Sequence, residues 1–352
     1  MKTTTLSAGM ALLCSLLLCN SAMAYDPKPG HLRLTELSYQ KLAQCRGEVV
    51  NPARLQRLQD GNLAMDEGAA KLPSSLYDNP WSDQLFPAYR RVGNWHFYHP
   101  DKTDKETVQP GLVNMSQQRL WARAQLGLTM ANDSAQRDYF VGALLHLLQD
   151  VSVPAHVTPV YHGPSLVGLF PLFTTKLTHY LKGERRAKFY GIKDPIDSSP
   201  VTIELEDLPC PTTDSKLNYD AIRALLARQT LAAMAEPIPN CGNNHWQLFW
   251  NKELPHNYFK GYNLELPPFG SNGDLVVGMQ TQCEFKAKGN QLQDQRYYEF
   301  IQQRHIQAVL AGMLLLQQAD STVGEQQGAD LLQVSADPGA VNRAPGADMV
   351  VP

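Results

Sequence analysis

The run His146-Leu147-Leu148-Gln149-Asp150-Val151-Ser152-Val153-Pro154-Ala155-His156 concentrates more chemistry than any other stretch of the chain. His146 and Asp150 are spaced i, i+4, which on a helix places them on one face, a turn apart. Neutral imidazole and carboxylate are suitable ligands for zinc, and a carboxylate can bridge two ions. His156 lies just beyond Pro154, which should kink or end the helix. That break is expected to turn His156 away from the His146/Asp150 face, toward partners later in the chain. Taken alone, the His-x-x-x-Asp spacing also fits a chance pair near a helix end. The sequence carries no nucleophile elbow, glycine-rich phosphate loop or Cys/His dyad signature, so nothing in it supports a covalent intermediate.

Helices must position these groups. Apolar periodicity predicts helices over 30–46, 51–71, 114–131, 134–151, 170–190, 217–236 and 296–319. Asn132-Asp133-Ser134 separates two of them and supplies caps for the second. Residues 72–104, rich in Pro, Asp and aromatics, read as an ordered loop. Short alternating pieces occur only near 201–208 and 275–285. The fold class is therefore mainly α, and 321–352, where the period dissolves into Gly, Gln, Ala, Asp and Pro, reads as a flexible tail.

Composition narrows the function classes. The chain has 352 residues, 43% hydrophobic and 18% charged, which is enough to build a core and excludes global disorder. Its net charge of -3 argues against a broad basic face for nucleic acid. Residues 1–24 read as a secretory signal: Lys2, an apolar stretch from Ala11 to Leu18, and the small-x-small site Ala22-Met23-Ala24. Leu17-Leu18-Cys19 admits a lipoprotein reading, although a small residue is wanted before that cysteine. No later segment has the length and apolarity of a membrane span. Cleavage after Ala24 leaves Cys45, Cys210, Cys241 and Cys283, an even count that suggests two disulfides in one of three pairings.

His-x-x-x-Asp-x-x-x-Pro-x-His resembles the signature helix of the zinc-dependent phospholipase C family, whose fold is shared with secreted single-strand-specific nucleases. Three further segments match in order: Gly30-His31-Leu32, Gly61-Asn62-Leu63-Ala64-Met65-Asp66, and Trp95-His96-Phe97-Tyr98-His99-Pro100-Asp101, the last with His99 where the family has Asp. The resemblance spans 25 to about 185, roughly half the chain. It implies an all-helical domain over 25–320, a loop-rich insertion, and three zinc ions. Asp66, His96, His146 and Asp150 would surround one ion. Asp150 would bridge to a second, also held by His31 and by the main-chain amine and carbonyl of Tyr25, the new N-terminus; the family usually begins with Trp. His156 would hold the third with a later histidine and carboxylate. The family's His-x-x-x-Glu is missing there, and His162, His179 and Glu184 are the available substitutes.

Clustered dications bind phosphodiester oxygens, offset the charge that grows during in-line attack and acidify a water; Asp66 is the implied proton acceptor. The substrate implied first is phosphatidylcholine or another phospholipid at a membrane surface, cleaved on the glycerol side. Aromatics between 77 and 98 suit either a choline cage or a base pocket. The basic cluster Lys182, Arg185, Arg186 and Lys188 suits an anionic lipid, a nucleic acid or plain solvent. The alternatives are a secreted single-strand nuclease and a non-catalytic binding protein on a decayed zinc fold. No family motif is found within 195–290, and no stable nucleic-acid partner or transmembrane segment is expected.

Overall fold

The structure, a computed structural model, describes residues 30–66, 94–107, 115–160, 200–211, 217–250, 252–253, 260–261, 275–277, 284–288, 291–292 and 294–335. The described chain is mainly helical. In order it forms α1 (His31–Arg46), α2 (Pro52–Asp66), β1 (Asn94–Trp95), α3 (Asp104–Thr107), β2 (Met115–Ser116), α4 (Gln117–Thr129), α5 (Ser134–Asp150), α6 (Pro154–Val157) and α7 (Tyr219–Ala235). Short strands β3 (Lys252–Glu253), β4 (Lys260–Gly261), β5 (Leu275–Val277), β6 (Glu284–Lys288) and β7 (Gln291–Leu292) precede the long α8 (Gln295–Ser335).

Local chemistry sets the helix starts. Asn51 accepts from the backbone of Ala53 and Arg54 ahead of Pro52, Ser116 accepts from Arg119, and Asn218 accepts from Ala221. Asp133 caps α5 by accepting from Gln136, while the Gln136 side chain reaches back to the Asn132 amide. α1 stops at Gly47, whose φ of 68° is a left-handed cap that glycine adopts without strain. The helix carrying His146 ends at Asp150, and Pro154 starts the next turn rather than extending it.

α5 is buried all round from Phe140 to Asp150, the mark of a central helix. α1, α2, α4 and α8 surround it. The closest approach is to α2, where Gly61 and Gly142 let the two backbones meet: a Cβ on Gly142 would stand 2.0 Å from the Leu58 carbonyl oxygen. Around this axis lie Leu34, Leu37, Leu58, Trp121, Leu144, Leu147, Val309 and Met313. Charged groups fasten the rim, with Arg54 between Asp138 of α5 and Asp320 of α8, and Arg46 also on Asp320. A Cys45–Cys210 disulfide ties α1 to the chain 165 residues on. Cys241 is also disulfide-bonded.

Two local expectations change. Residues 201–208 do not extend a strand; they run as coil into a 3-10 turn at Leu205–Asp207, with the Leu205 carbonyl accepting from Lys41. The alternation there is too short to specify a partner strand. The other alternating piece does pair, β5 with β6 and β6 with β7, all antiparallel. The last helix continues to Ser335, beyond the predicted end at 319. Its added turns include Glu325, Gln326, Gln327, Ala329, Leu331, Leu332 and Gln333, residue types that favour helix, interrupted by Gly324 and Gly328. The predicted helix over 170–190 lies outside the described residues.

His305 sits in the α8 interior, 1% exposed, and burial pushes its pKa down to about 3. A histidine below its ordinary value contributes stability that is whole above pH 6.5 and is lost as pH falls through that value toward 3. Each pH unit in this window costs about 1.4 kcal/mol. Replacing His305 with Met should therefore shrink the stability lost between pH 7 and pH 5 by about 2 kcal/mol. Urea melts at the two pH values check this; equal losses in both proteins would show that His305 does not carry the acid sensitivity.

Candidate metal centre

Three segments converge on Asp150. α1 delivers His31, the stretch after β1 delivers His96, and the last turn of α5 delivers His146 and Asp150 itself. His31 Nε2 stands 3.5 Å from Asp150 Oδ1, His146 Nε2 stands 3.5 Å from Oδ2, and His96 Nδ1 stands 2.8 Å from Oδ2. His31, His146 and Asp150 are fully buried, and the rings of His31 and His146 stack with centroids 4.0 Å apart. Ligand atoms bound 2.0–2.1 Å from a tetrahedral zinc are about 3.4 Å apart, close to the two 3.5 Å separations here. One ligand atom from each of the three lies within 4.8 Å of the others, so the group is able to hold a metal ion.

Hydrogen bonding selects the atoms that face inward. His31 Nδ1 meets Gln149 Oε1 at 2.8 Å and His146 Nδ1 meets Asn62 Oδ1 at 3.4 Å. An oxygen opposite Nδ1 favours a proton there, which leaves the lone pair of the neutral ring on Nε2, toward Asp150. Asp150 Oδ1 accepts no hydrogen bond from the described residues.

Electrostatics point the same way. Burial pushes His31 down to about 4 and, with the His31 ring beside it, holds His146 well below the usual imidazole range. Burial alone would raise the Asp150 carboxyl, but His146, His96 and His156 outweigh it and hold the group below the usual carboxylate range. Near neutral pH the pocket thus joins two neutral imidazoles to a buried carboxylate. A buried anion without a counter-charge costs several kcal/mol. A bound cation would offset it.

His156 corrects the expectation drawn from Pro154. The chain turns tightly, with Val153 N donating to Asp150 O at 2.9 Å and His156 N donating to Val153 O at 2.9 Å. This folds His156 back toward the cluster. Its Nδ1 lies 3.1 Å from the His96 carbonyl oxygen, and its ring centroid is 6.2 Å from that of His96. In return, the His156 carbonyl accepts from Tyr98 N at 2.8 Å. His99, the departure from the family segment, accepts the Asp101 amide on Nδ1. Asp66 ends α2, but its side chain lies outside the described residues, as do Tyr25, His162, His179 and Glu184.

Several residues that frame the site do not stand out in the sequence. Thr35, Asn62 and Gln149 are fully buried beside the two histidines. The signal was their placement: Thr35 is one turn from His31, and Gln149 adjoins Asp150. Arg223 of α7 braces the site from behind, its guanidinium 4.0 Å over the Tyr98 ring and 4.5 Å over the Trp121 ring. It donates to Gln117 Oε1 at 3.3 Å, and Gln117 donates to the Leu147 carbonyl at 2.8 Å, next to His146. Burial lowers Arg223 to about 10, which leaves it charged at neutral pH. Compared with protein-family profiles, curated proteins and solved structures, the chain finds no match.

Proposed function

We propose that this chain is an exported, zinc-dependent phosphodiesterase of the phospholipase C type, cleaving the glycerol-side phosphodiester of phospholipids, phosphatidylcholine first. The observation that carries the reading is the convergence of His31, His96 and His146 on the two oxygens of one buried carboxylate, Asp150. Oδ1 faces His31, while Oδ2 faces His146 and His96. That division suits a carboxylate shared between two ions, as the resemblance implies for Asp150. Zinc held there would supply Lewis-acid stabilisation of a phosphodiester and a water of lowered pKa.

The chain's own groups have distinct tasks. His31 and His146 present Nε2 as neutral donors, with a hydrogen-bonded Nδ1 holding each ring in orientation. Asp150 supplies the negative charge that would draw a dication into this buried polar pocket. His96, 11% exposed on its side chain, is the ligand nearest solvent in this group and marks the side from which substrate would approach. His156 would contribute to the third ion, as the resemblance implies, and Asp66 remains the proposed proton acceptor. The Cys45–Cys210 disulfide fits an oxidising compartment. No helix among the described residues is long and apolar enough to cross a membrane.

An activity panel on the purified chain lacking 1–24 tests the reading. Phosphatidylcholine, other phospholipids and single-stranded nucleic acid are each assayed with and without a chelator. Hydrolysis of phosphatidylcholine to diacylglycerol, lost on chelation and restored by zinc, is expected. Because the ligands come from separate elements, chelation should also lower the melting temperature by several degrees. Turnover of nucleic acid alone would move the assignment to a nuclease. One zinc per chain with no turnover would leave a metal-holding binding protein.

A further inference from the structure

Thr35, Asn62 and Gln149 form a closed hydrogen-bonded ring in the fully buried space behind the two histidines. The Asn62 amide nitrogen donates to Thr35 Oγ1 and to Gln149 Oε1, each at 3.0 Å. The Gln149 amide nitrogen donates to the same Thr35 Oγ1, also at 3.0 Å. With both nitrogens so committed, the amide oxygens face the rings: Gln149 Oε1 lies 2.8 Å from His31 Nδ1 and Asn62 Oδ1 lies 3.4 Å from His146 Nδ1. An amide turned over would present its NH2 group to Nδ1 instead. That would select the opposite tautomer and put a proton on Nε2, the nitrogen that faces Asp150.

Thr35 resists that turn. Its hydroxyl oxygen has two lone pairs and takes both amide N–H groups, but it has a single hydrogen. If both amides turned, two carbonyl oxygens would compete for that hydrogen, and one buried O···O contact would remain repulsive. The mutual Asn62–Gln149 bond couples the two amides, so turning one alone brings two NH2 groups or two oxygens together. Valine at the same position would offer no acceptor and remove the constraint.

We infer that Thr35 is a positioning residue: by orienting the Asn62 and Gln149 amides it holds His31 and His146 in the Nδ1–H tautomer, with Nε2 presented to a metal ion, while supplying no ligand itself. The inference rests on the metal-centre reading above and adds the device that keeps both ligands in the binding tautomer.

The test compares wild type, Thr35→Val and Thr35→Ser, each as the full mature chain, by zinc titration against a competing chelator and by melting of the metal-free form. Thr35→Val is expected to bind zinc roughly 10- to 100-fold more weakly, with Thr35→Ser returning to within about threefold of wild type. A merely structural threonine would lower the metal-free melting temperature and leave zinc affinity unchanged, and that result overturns the inference. Should the valine variant not fold, long-range proton–nitrogen correlation spectra of the metal-free wild type decide it. Nδ1–H tautomers for His31 and His146 are expected, and Nε2–H tautomers overturn the lock. A wild type with the Nδ1–H tautomers that takes up no zinc supports the lock while rejecting the metal reading, so the two failures are distinguishable.

Discussion

Asp150→Asn is expected to give a folded protein that retains little zinc and loses the proposed phosphodiesterase activity by roughly three orders of magnitude or more. Asparagine keeps the shape of the side chain and removes its charge. It also brings an NH2 group toward imidazole nitrogens that present lone pairs. The carboxylate touches His31 through one oxygen and His146 and His96 through the other, so the change reaches ligands on both sides. Removing a terminal ligand, as in His31→Ala, leaves Asp150, His146 and His96 in place and should cost less. Zinc content should fall by more than one ion per chain in Asp150→Asn and by about one in His31→Ala, consistent with a bridging carboxylate. In the metal-free state the order should invert. A buried anion has been removed, so metal-free Asp150→Asn should be at least as stable as metal-free wild type. Elemental analysis after dialysis and paired thermal melts check both halves. A variant that keeps the zinc content of the wild type, or loses a single ion, rejects the bridge.

What could be read in advance was local. The cap at Asp133, the stop before Pro154 and the shared face of His146 and Asp150 follow from spacings of a few residues, and each holds in the fold. His31 and His96 entered through a resemblance, and they do meet Asp150, although no separation along the chain announces it. Thr35, Asn62, Gln149 and Arg223 were not singled out because a polar residue on a helix is locally unremarkable. Their meaning depends on how four helices, α1, α2, α5 and α7, come together, since a buried polar group must be satisfied there or costs about 1–3 kcal/mol. The direction of His156 is hidden in the sequence for the same reason in reverse: a proline break tells where a helix ends, and the tight bonds from Val153 to Asp150 then decide which way the chain leaves. The run at 201–208 shows the limit of alternation without a partner strand; a disulfide at Cys210 and a lysine on the Leu205 carbonyl hold it as coil and turn.

Gly142→Ala should destabilise the fold by about 2–3 kcal/mol, although the same change in an open helix would stabilise it by about 1 kcal/mol. The reversed sign comes from the α2–α5 crossing. A Cβ at 142 would lie 2.0 Å from the Leu58 carbonyl oxygen and 3.0 Å from the Asn62 backbone nitrogen, and a Cβ at the facing Gly61 would lie 1.8 Å from the Tyr139 carbonyl oxygen. These obstacles are backbone atoms, so no rotamer change relieves them and the two helices must move apart. The movement has a direction that matters chemically. Gly142 is one helical turn before His146, and Gly61 adjoins Asn62, whose side chain faces the His146 ring. Separating α2 from α5 therefore draws Asn62 away from His146 and opens the ring of amides behind the cluster, so zinc affinity should fall together with stability. Urea unfolding of the metal-free protein measures the first effect and chelator competition the second. A raised unfolding midpoint in Gly142→Ala would show that the helices do not approach this closely, and it would remove the steric basis for placing Asn62 against His146.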